Sequence, residues 1–204
     1  MRRKILFATG NEGKMREIRM IMEDMDVELL SMKEAGISTD IEEDGTTFEE
    51  NALIKARAVA DCTCGEEIVL ADDSGLEIDY LNGEPGIYSA RYMGEDTSYR
   101  IKNAELLRRL QGVPKEERGA RFVCAMAAVA PLAGGGRKEL VVRGVIEGYI
   151  GWEEKGNNGF GYDPIFYVDE YGCSTAELDG EVKNQISHRG NALRLMKERL
   201  ASLL

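Results

Sequence analysis

Apolar and polar positions change their period along this chain, and each change predicts an element. Ile5-Leu6-Phe7-Ala8 is a short apolar run that stops at Thr9-Gly10-Asn11, which predicts a buried strand and a turn. Met15, Ile18, Met22 and Met25 then recur at helical spacing with charges between them, an amphipathic helix from about Glu12. Residues 27–30 predict a second strand. Thr47-Phe48-Glu49-Glu50 has the spacing of a capping box, and Phe48, Ala52, Ala56 and Val59 carry a helix to about Asp61. Residues 68–71 predict a buried strand ending in Asp72-Asp73-Ser74-Gly75. Leu76, Ile78 and Tyr80 alternate with Glu77 and Asp79, a half-exposed strand closed by a turn at Asn82-Gly83. Pro85-Gly86 opens a loop to about Glu95. Ile101, Ala104, Leu107 and Leu110 predict a helix stopped by Gly112 and Pro114. Residues 122–129 and 140–150 predict a hairpin joined by Gly134-Gly135-Gly136, and residues 156–164 an irregular Gly-rich loop. Leu193, Met196, Leu200 and Leu203 predict a C-terminal helix after Ser187-His188-Arg189. This order is mixed α/β, with parallel and antiparallel strands. No internal repeat and no Pro- or Ser-rich linker divides it. Two lobes around a cleft would fit, because the hairpin and the N-terminal unit are distinct.

Composition narrows the partners. The chain has 204 residues and a formal net charge of -11, from 26 Lys+Arg against 37 Asp+Glu. An acidic balance argues against nucleic acid polymers and anionic membranes, because polyanions repel. One His excludes a metal site built on two imidazoles, so any metal is expected on hard carboxylates, as Mg²⁺ or Mn²⁺. Cys62, Cys64, Cys124 and Cys173 form no C-x-x-C pair and read as reduced thiols. Met1-Arg2-Arg3-Lys4 resembles the start of a signal peptide, but the apolar stretch behind it is too short. The longest apolar run, from Val123 to Ala133, contains Pro131 and falls short of a membrane span. The expected location is the cytosol.

Five segments carry candidate chemistry. Thr9-Gly10-Asn11-Glu12-Gly13-Lys14 joins a strand, a glycine turn and a helix N-terminus, which gathers free N–H groups and a positive dipole end where a phosphate can sit. Gly13-Lys14 match the end of a P-loop. Ala8 stands at its first glycine and Met15 replaces its hydroxyl, so on this motif alone a phosphate loop of another kind and a plain turn both remain open. Asp72-Asp73 at the end of an apolar strand would repel unless a cation or base chemistry uses one of them. Alternation along a strand then sends one Asp to a given face and leaves the other to brace the turn. Glu42-Glu43-Asp44-Gly45 could join Asp73 as oxygen ligands for Mg²⁺, or be a solvated loop. In the Gly156-to-Pro164 loop, Phe160 between two glycines suits a stacking platform for a base, and Asp163 could accept from a base edge. A wide loop with Tyr162 packed inward is the other reading. Lys183 and Ser187-His188-Arg189 add fixed donors that suit a carbonyl or a phosphate. Together the five describe a metal-dependent nucleotide enzyme.

The combination resembles the inosine-triphosphate pyrophosphatase family. The matching stretches are Thr9-Gly10-Asn11-x-x-Lys14-x-x-Glu17, Thr47-Phe48-x-Glu50-Asn51-Ala52, Ala71-Asp72-Asp73-Ser74-Gly75-Leu76, Pro85-Gly86-Ile87-Tyr88-Ser89-Ala90-Arg91-Tyr92, Gly159-Phe160-Gly161-Tyr162-Asp163-Pro164 and Ser187-His188-Arg189-Gly190, spanning nearly the whole chain. The resemblance implies one domain over 1–204, α/β and two-lobed, with an elongated mixed sheet flanked by helices and a central cleft. It implies Mg²⁺-dependent hydrolysis of ITP, dITP and XTP to the monophosphate and pyrophosphate, in a cytoplasmic homodimer. It also implies roles. Thr9, Gly10, Asn11, Glu12, Gly13 and Lys14 hold the triphosphate. Asp73 is the proton acceptor and a metal ligand, with Glu42 or Glu43 as the other. Ser74, Phe160, Gly161, Tyr162, Asp163, Lys183, His188 and Arg189 contact the nucleotide, and Arg189 suits a 6-carbonyl. Two other classes compete, a P-loop-like nucleotide kinase and a non-enzymatic acidic-pocket signalling domain.

Overall fold

The computed structural model describes residues 3–132 and 134–201. Met1, Arg2, Ala133 and Leu203, which entered the readings above, lie outside the described residues. Strands β1 (Arg3–Phe7), β2 (Val27–Ser31), β3 (Ile68–Ile78), β4 (Gly119–Pro131), β5 (Arg137–Ile150), β6 (Phe166–Val168) and β7 (Cys173–Ser174) form one sheet in the order β2-β1-β3-β4-β5-β6-β7. The sheet is mixed. β1 is parallel to β2 and β3, whereas β6 is antiparallel to β5 and β7. The helices are α1 (Glu12–Ile21), α2 (Phe48–Asp61), α3 (Tyr99–Arg109), α4 (Gly180–Ile186) and α5 (His188–Ala201). No helix among the described residues is long and apolar enough to cross a membrane.

The chain packs as two compact units, and β3, β4 and β5 each run from one into the other. The first unit takes residues 3–73, 124–144 and 189–201. Its core holds Ile5 and Phe7 from β1, Met15 and Ile18 from α1, Leu70 from β3, Met126 from β4 and Leu193 and Met196 from α5. The second unit takes residues 74–123 and 145–188. Its core holds Leu76 and Ile78 from β3, Leu106 and Leu110 at α3, Phe122 from β4, Ile150 from β5 and Phe166 from β6.

Local chemistry starts the helices where the pattern predicts. Asn11 caps α1, its side chain accepting from Lys14 N at 3.1 Å. Thr47 caps α2, accepting from Glu50 N at 3.1 Å. The return arm of the capping box is displaced by one residue, since the Glu50 carboxylate takes the N–H and the hydroxyl of Thr46, each at 2.7 Å.

Two expectations change, and three short elements are new. Residues 68–78 are one strand, so Asp72-Asp73-Ser74-Gly75 lies inside β3 and is no turn. Buried partners compensate the two carboxylates, and the strand continues through them. In α3 the predicted stripe 101, 104, 107, 110 splits: Ile101 and Ala104 are exposed, Leu107 packs partly buried against the core, Leu110 is buried, and Lys102, Asn103 and Leu106 are buried as well. The buried polar side chains find acceptors there, among them the Ala90 carbonyl for Lys102 and the Gly161 carbonyl for Asn103. β6, β7 and α4 are too short to print a period.

Candidate active site

In the first unit, β3 sends Asp72 and Asp73 to opposite faces, as alternation requires. Both carboxylates are buried, and each has its own cations. Asp72 receives Lys14 Nζ, at 3.1 Å to Oδ1 and 2.9 Å to Oδ2, and Arg189 Nη2 at 3.4 Å. The other terminal nitrogen of Arg189 donates to Glu17 on α1. Arg189 is therefore engaged by two carboxylates, which differs from the expected donation to a base carbonyl. Its guanidinium is buried, and burial is tolerated here because two opposite charges meet it. Asp72, expected to brace a turn, instead ties the helix-start lysine to the sheet.

Asp73 meets a different group. Lys55 Nζ lies 3.2 Å from Asp73 Oδ1 and 2.9 Å from Glu43 Oε2. Asn51 Nδ2 donates to Asp73 Oδ2 at 3.2 Å. Burial pushes the Asp73 carboxyl above its ordinary value, the Lys55 ammonium pulls it back, Glu43 raises it further, and the Lys55 and Asn51 hydrogen bonds lower it. For Lys55, burial works against its charge, but Asp73, Asp72 and Glu43 outweigh that and raise its pKa. Of the acidic turn, the structure brings Glu43 to this group, while Glu42 is exposed. Among the described residues no cluster of three or more His, Cys, Asp or Glu side chains is set to hold a metal. Two carboxylates that meet one ammonium still suit Mg²⁺, which takes one or two carboxylates together with phosphate oxygens.

Thr9 to Lys14 form the β1–α1 turn and the first turn of α1. Thr9 Oγ1 accepts from Asn11 N at 3.1 Å. Gly10, Asn11 and Glu12 are exposed, and a Cβ on Gly10 would meet nothing within 4 Å. Backbone and helix start are open to an anion there.

In the second unit, the 156–164 loop is organised by Asp163. Its Oδ2 accepts from Phe160 N at 2.8 Å and Lys183 Nζ at 2.7 Å, and its Oδ1 from Thr175 Oγ1 at 2.9 Å. Asp163 is buried, so it shapes the loop through its own chain's donors. Tyr162 also turns inward. Its hydroxyl donates to the Ser89 carbonyl at 2.7 Å, Tyr99 meets it edge-on at 5.1 Å, and burial pushes its pKa far above the usual phenol value. Phe160 turns outward and is 36% exposed, with Lys183 Nζ 5.3 Å from its ring centroid. Tyr162 thus packs inward, as the wide-loop reading expects, while Phe160 stands at the surface. Asn103 Nδ2 donates to the Gly161 carbonyl at 3.3 Å and to Glu154 at 2.7 Å. His188 stacks on Phe122 at 4.9 Å. Ser74 is half-buried in β3.

Gly159 is required at its position. Its φ is +72°, and a methyl there would run into the Asp163 carboxylate and come 2.9 Å from Lys183 Nζ. Gly159→Ala should destabilise the protein by about 1–3 kcal/mol through the strained backbone and the clash with Asp163, a fall in Tm of roughly 2–12 °C. A thermal melt checks this, and an unchanged Tm would show that the loop accommodates the methyl.

Sequence reading did not anticipate Glu17, Asn51, Lys55, Asp72, Asn103 and Thr175 in these roles. A signal existed for two of them. Asn51 and Lys55 share the face of α2 that buries Phe48, Ala52, Ala56 and Val59, so both are polar residues on an apolar stripe.

A model of the Ham1 family matches residues 5–199. A dITP/XTP pyrophosphatase of Caldanaerobacter subterraneus subsp. tengcongensis is 49% identical over 195 residues, 96% of this chain and 94% of that protein. A dITP/XTP pyrophosphatase of Clostridium perfringens is 46% identical, with 99% of each chain covered. The solved structure of the Staphylococcus aureus Ham1 protein is 40% identical and aligns with a TM-score of 0.85 over 99% of this chain and 100% of that one.

Proposed function

Since this chain belongs to the Ham1 family, we propose that it is a nucleoside triphosphate pyrophosphatase. It hydrolyses non-standard purine nucleoside triphosphates, dITP, XTP and ITP, to the monophosphate and pyrophosphate. The observation that carries the chemistry is Asp73, a buried carboxylate raised above its ordinary value, with Lys55, Asn51 and Glu43 around it. A carboxylate made more basic by burial suits the acceptance of a proton from water.

In this reading Asp73 takes the proton of the water that attacks the α-phosphorus. The bond from that phosphorus to the bridging oxygen breaks, and pyrophosphate leaves. Lys14 and the open N–H groups at the start of α1 hold the triphosphate and stabilise the negative charge that grows on the departing group. Lys14, in the first turn of α1, has its ammonium on Asp72, and an anion at the helix start can compete for it. Asp73 and Glu43 would hold Mg²⁺, or Mn²⁺ in its place, which when bound supplies neutralisation of phosphate charge. Lys55 keeps these two carboxylates together.

Phe160, Ser74, Lys183 and His188 serve the nucleoside, with Phe160 as the stacking face. Asp163, Gly161 and Tyr162 shape the loop, and Arg189 braces Asp72 and Glu17. A 6-carbonyl can accept from fixed donors such as Lys183, which Asp163 orients. The 6-amino group of adenine offers no acceptor there, at ~1–3 kcal/mol for each hydrogen bond not made. We read residues 1–204 as one domain for this activity, working as a homodimer in the cytoplasm. A net charge of -11 disfavours nucleic acid polymers as partners.

A panel of nucleoside triphosphates with Mg²⁺ tests the function. dITP, XTP and ITP should release pyrophosphate and no orthophosphate, at a kcat/KM about 10²-fold or more above ATP, the size expected of one or two hydrogen bonds that adenine cannot accept. Orthophosphate release, or equal turnover of ATP, would overturn the reading.

A further inference from the structure

The acidic turn and β3 are joined by one side chain. Asn51 is fully buried in the first turn of α2. Its Oδ1 accepts from Gly45 N at 2.9 Å, and its Nδ2 donates to Asp73 Oδ2 at 3.2 Å. Both ends of the carboxamide are used, and the assignment is forced, because a flipped amide would set oxygen against the Asp73 carboxylate. Gly45 must be glycine for the same reason. A Cβ there would lie 2.6 Å from Asn51 Oδ1 and 2.8 Å from Glu50 Cβ. Two residues before Gly45 stands Glu43, whose carboxylate meets Asp73 through Lys55. The loop that carries Glu43 has no regular secondary structure over 37–46, so no ladder sets its register. The part-buried Gly45–Asn51 bond helps to set it, together with the Thr46 bonds to Glu50 and the Lys55 bond to Glu43, and it costs free energy to leave unmade.

We propose that Asn51 is a positioning residue for the metal centre, locking the spacing of Glu43 against Asp73 by holding Gly45 with one end of its carboxamide and Asp73 with the other. This rests on the reading of Glu43 and Asp73 as the carboxylates that take Mg²⁺. Asn51 touches neither substrate nor metal in this scheme. It acts through the two groups that do, much as the outer partners of metal ligands do, whose loss costs 10–100-fold in affinity. Lys55, at i+4 on the same buried face, makes the complementary contact, so one helix face carries both the neutral and the cationic partner of Asp73.

The test uses three variants of the full chain, Asn51→Leu, Asn51→Ser and Gly45→Ala, with Gly45→Ala also placed in the Asn51→Ser background. The reads are the Mg²⁺ concentration for half-maximal turnover of dITP, kcat and KM at saturating Mg²⁺, and Mn²⁺ affinity by spin-resonance titration with an α,β-methylene analogue of dITP bound. Asn51→Leu should weaken Mn²⁺ binding about tenfold or more and raise the Mg²⁺ requirement to match, while KM for dITP at saturating Mg²⁺ stays within twofold. Gly45→Ala should do the same by pushing on Asn51 from the loop. Asn51→Ser makes room for that methyl, so the double variant should be no worse than the worse single one. Metal affinity within twofold of the parent in Asn51→Leu, or full additivity in the double variant, would overturn the proposal. If Asn51→Leu fails to fold, the Gly45→Ala pair decides alone. Asp73→Asn separates the two levels. Full turnover in that variant sinks the metal-centre reading itself, whereas a dead Asp73→Asn beside an Asn51→Leu with parental metal affinity sinks only this inference.

Discussion

Asp73→Asn is expected to lower pyrophosphate release from dITP by about 10³-fold or more while leaving the protein folded. The size follows from its two roles, since loss of a positioned proton acceptor alone costs 10²–10⁴-fold, and the same oxygens are proposed to hold the metal. The amide keeps the shape of the side chain, and it accepts from Lys55 through one oxygen. Folding stability should not fall with activity. Burial raises the carboxyl of the folded protein above its unfolded value. A group raised in this way contributes stability that is fully present below the unfolded pKa and lost as pH rises through the folded pKa. At pH 7 the ionised Asp73 is thus a net cost that an amide removes, while the same amide leaves the buried Lys55 with Glu43 as its remaining carboxylate partner, so the two effects oppose each other. A melt in a chelator at pH 7 should give a midpoint close to the parent's. A folded Asp73→Asn that turns over dITP at the parental rate would end the assignment.

Arg118→Met should be the most damaging single change to the fold. Arg118 is 1% exposed and lies in the second unit. Its Nε donates to the Ile150 carbonyl at 2.6 Å, Nη1 to Leu110 at 2.7 Å and more weakly to Val113 at 3.5 Å, and Nη2 to Gly151. Trp152 lies 5.0 Å from the guanidinium carbon. One side chain therefore satisfies carbonyls at the end of α3, in the turn behind it and at the end of β5. Methionine fills much of the volume but supplies no donor. The carbonyls left behind cost about 1–3 kcal/mol each when unpaired, so a loss of about 3 kcal/mol or more is expected, and a fall in Tm of roughly 6–12 °C for a chain of this size. Scanning calorimetry measures it, and a fall below 2 °C would mean that water replaces the guanidinium.

How far these side chains were legible in sequence varies with the kind of signal each leaves. α1, α2 and α5 announce themselves because their apolar stripes are regular and, in α1 and α2, a capping side chain marks the start. α3 was placed correctly, but its face was not. Ile101 and Ala104 are exposed while Lys102 and Asn103 are buried, each with an acceptor that only the packed loop supplies. The Asp72-Asp73 pair was legible as chemistry and misread as local structure. Acidic residues followed by Ser-Gly look like a turn, yet four cationic and amide partners from distant segments, Lys14, Arg189, Lys55 and Asn51, let the strand run on through them.

Sequence alone determined what depends on near neighbours or on a whole pattern of spaced motifs. It placed the mixed α/β class, the helix starts, the Gly-rich loops and the nucleotide chemistry, since periods, caps and backbone freedom are local properties and the motifs lie in order along the chain. Tertiary structure decided which of two adjacent side chains does what. It set Glu43 on Lys55 and left Glu42 exposed, set Arg189 on Glu17 and Asp72, turned Tyr162 inward and Phe160 outward, and made Asn51 a link between two segments. The physical reason is that a buried charge or amide is settled by partners that must be paired when water is excluded. Here those partners lie from 6 to 172 residues away in the chain, beyond the reach of any local pattern.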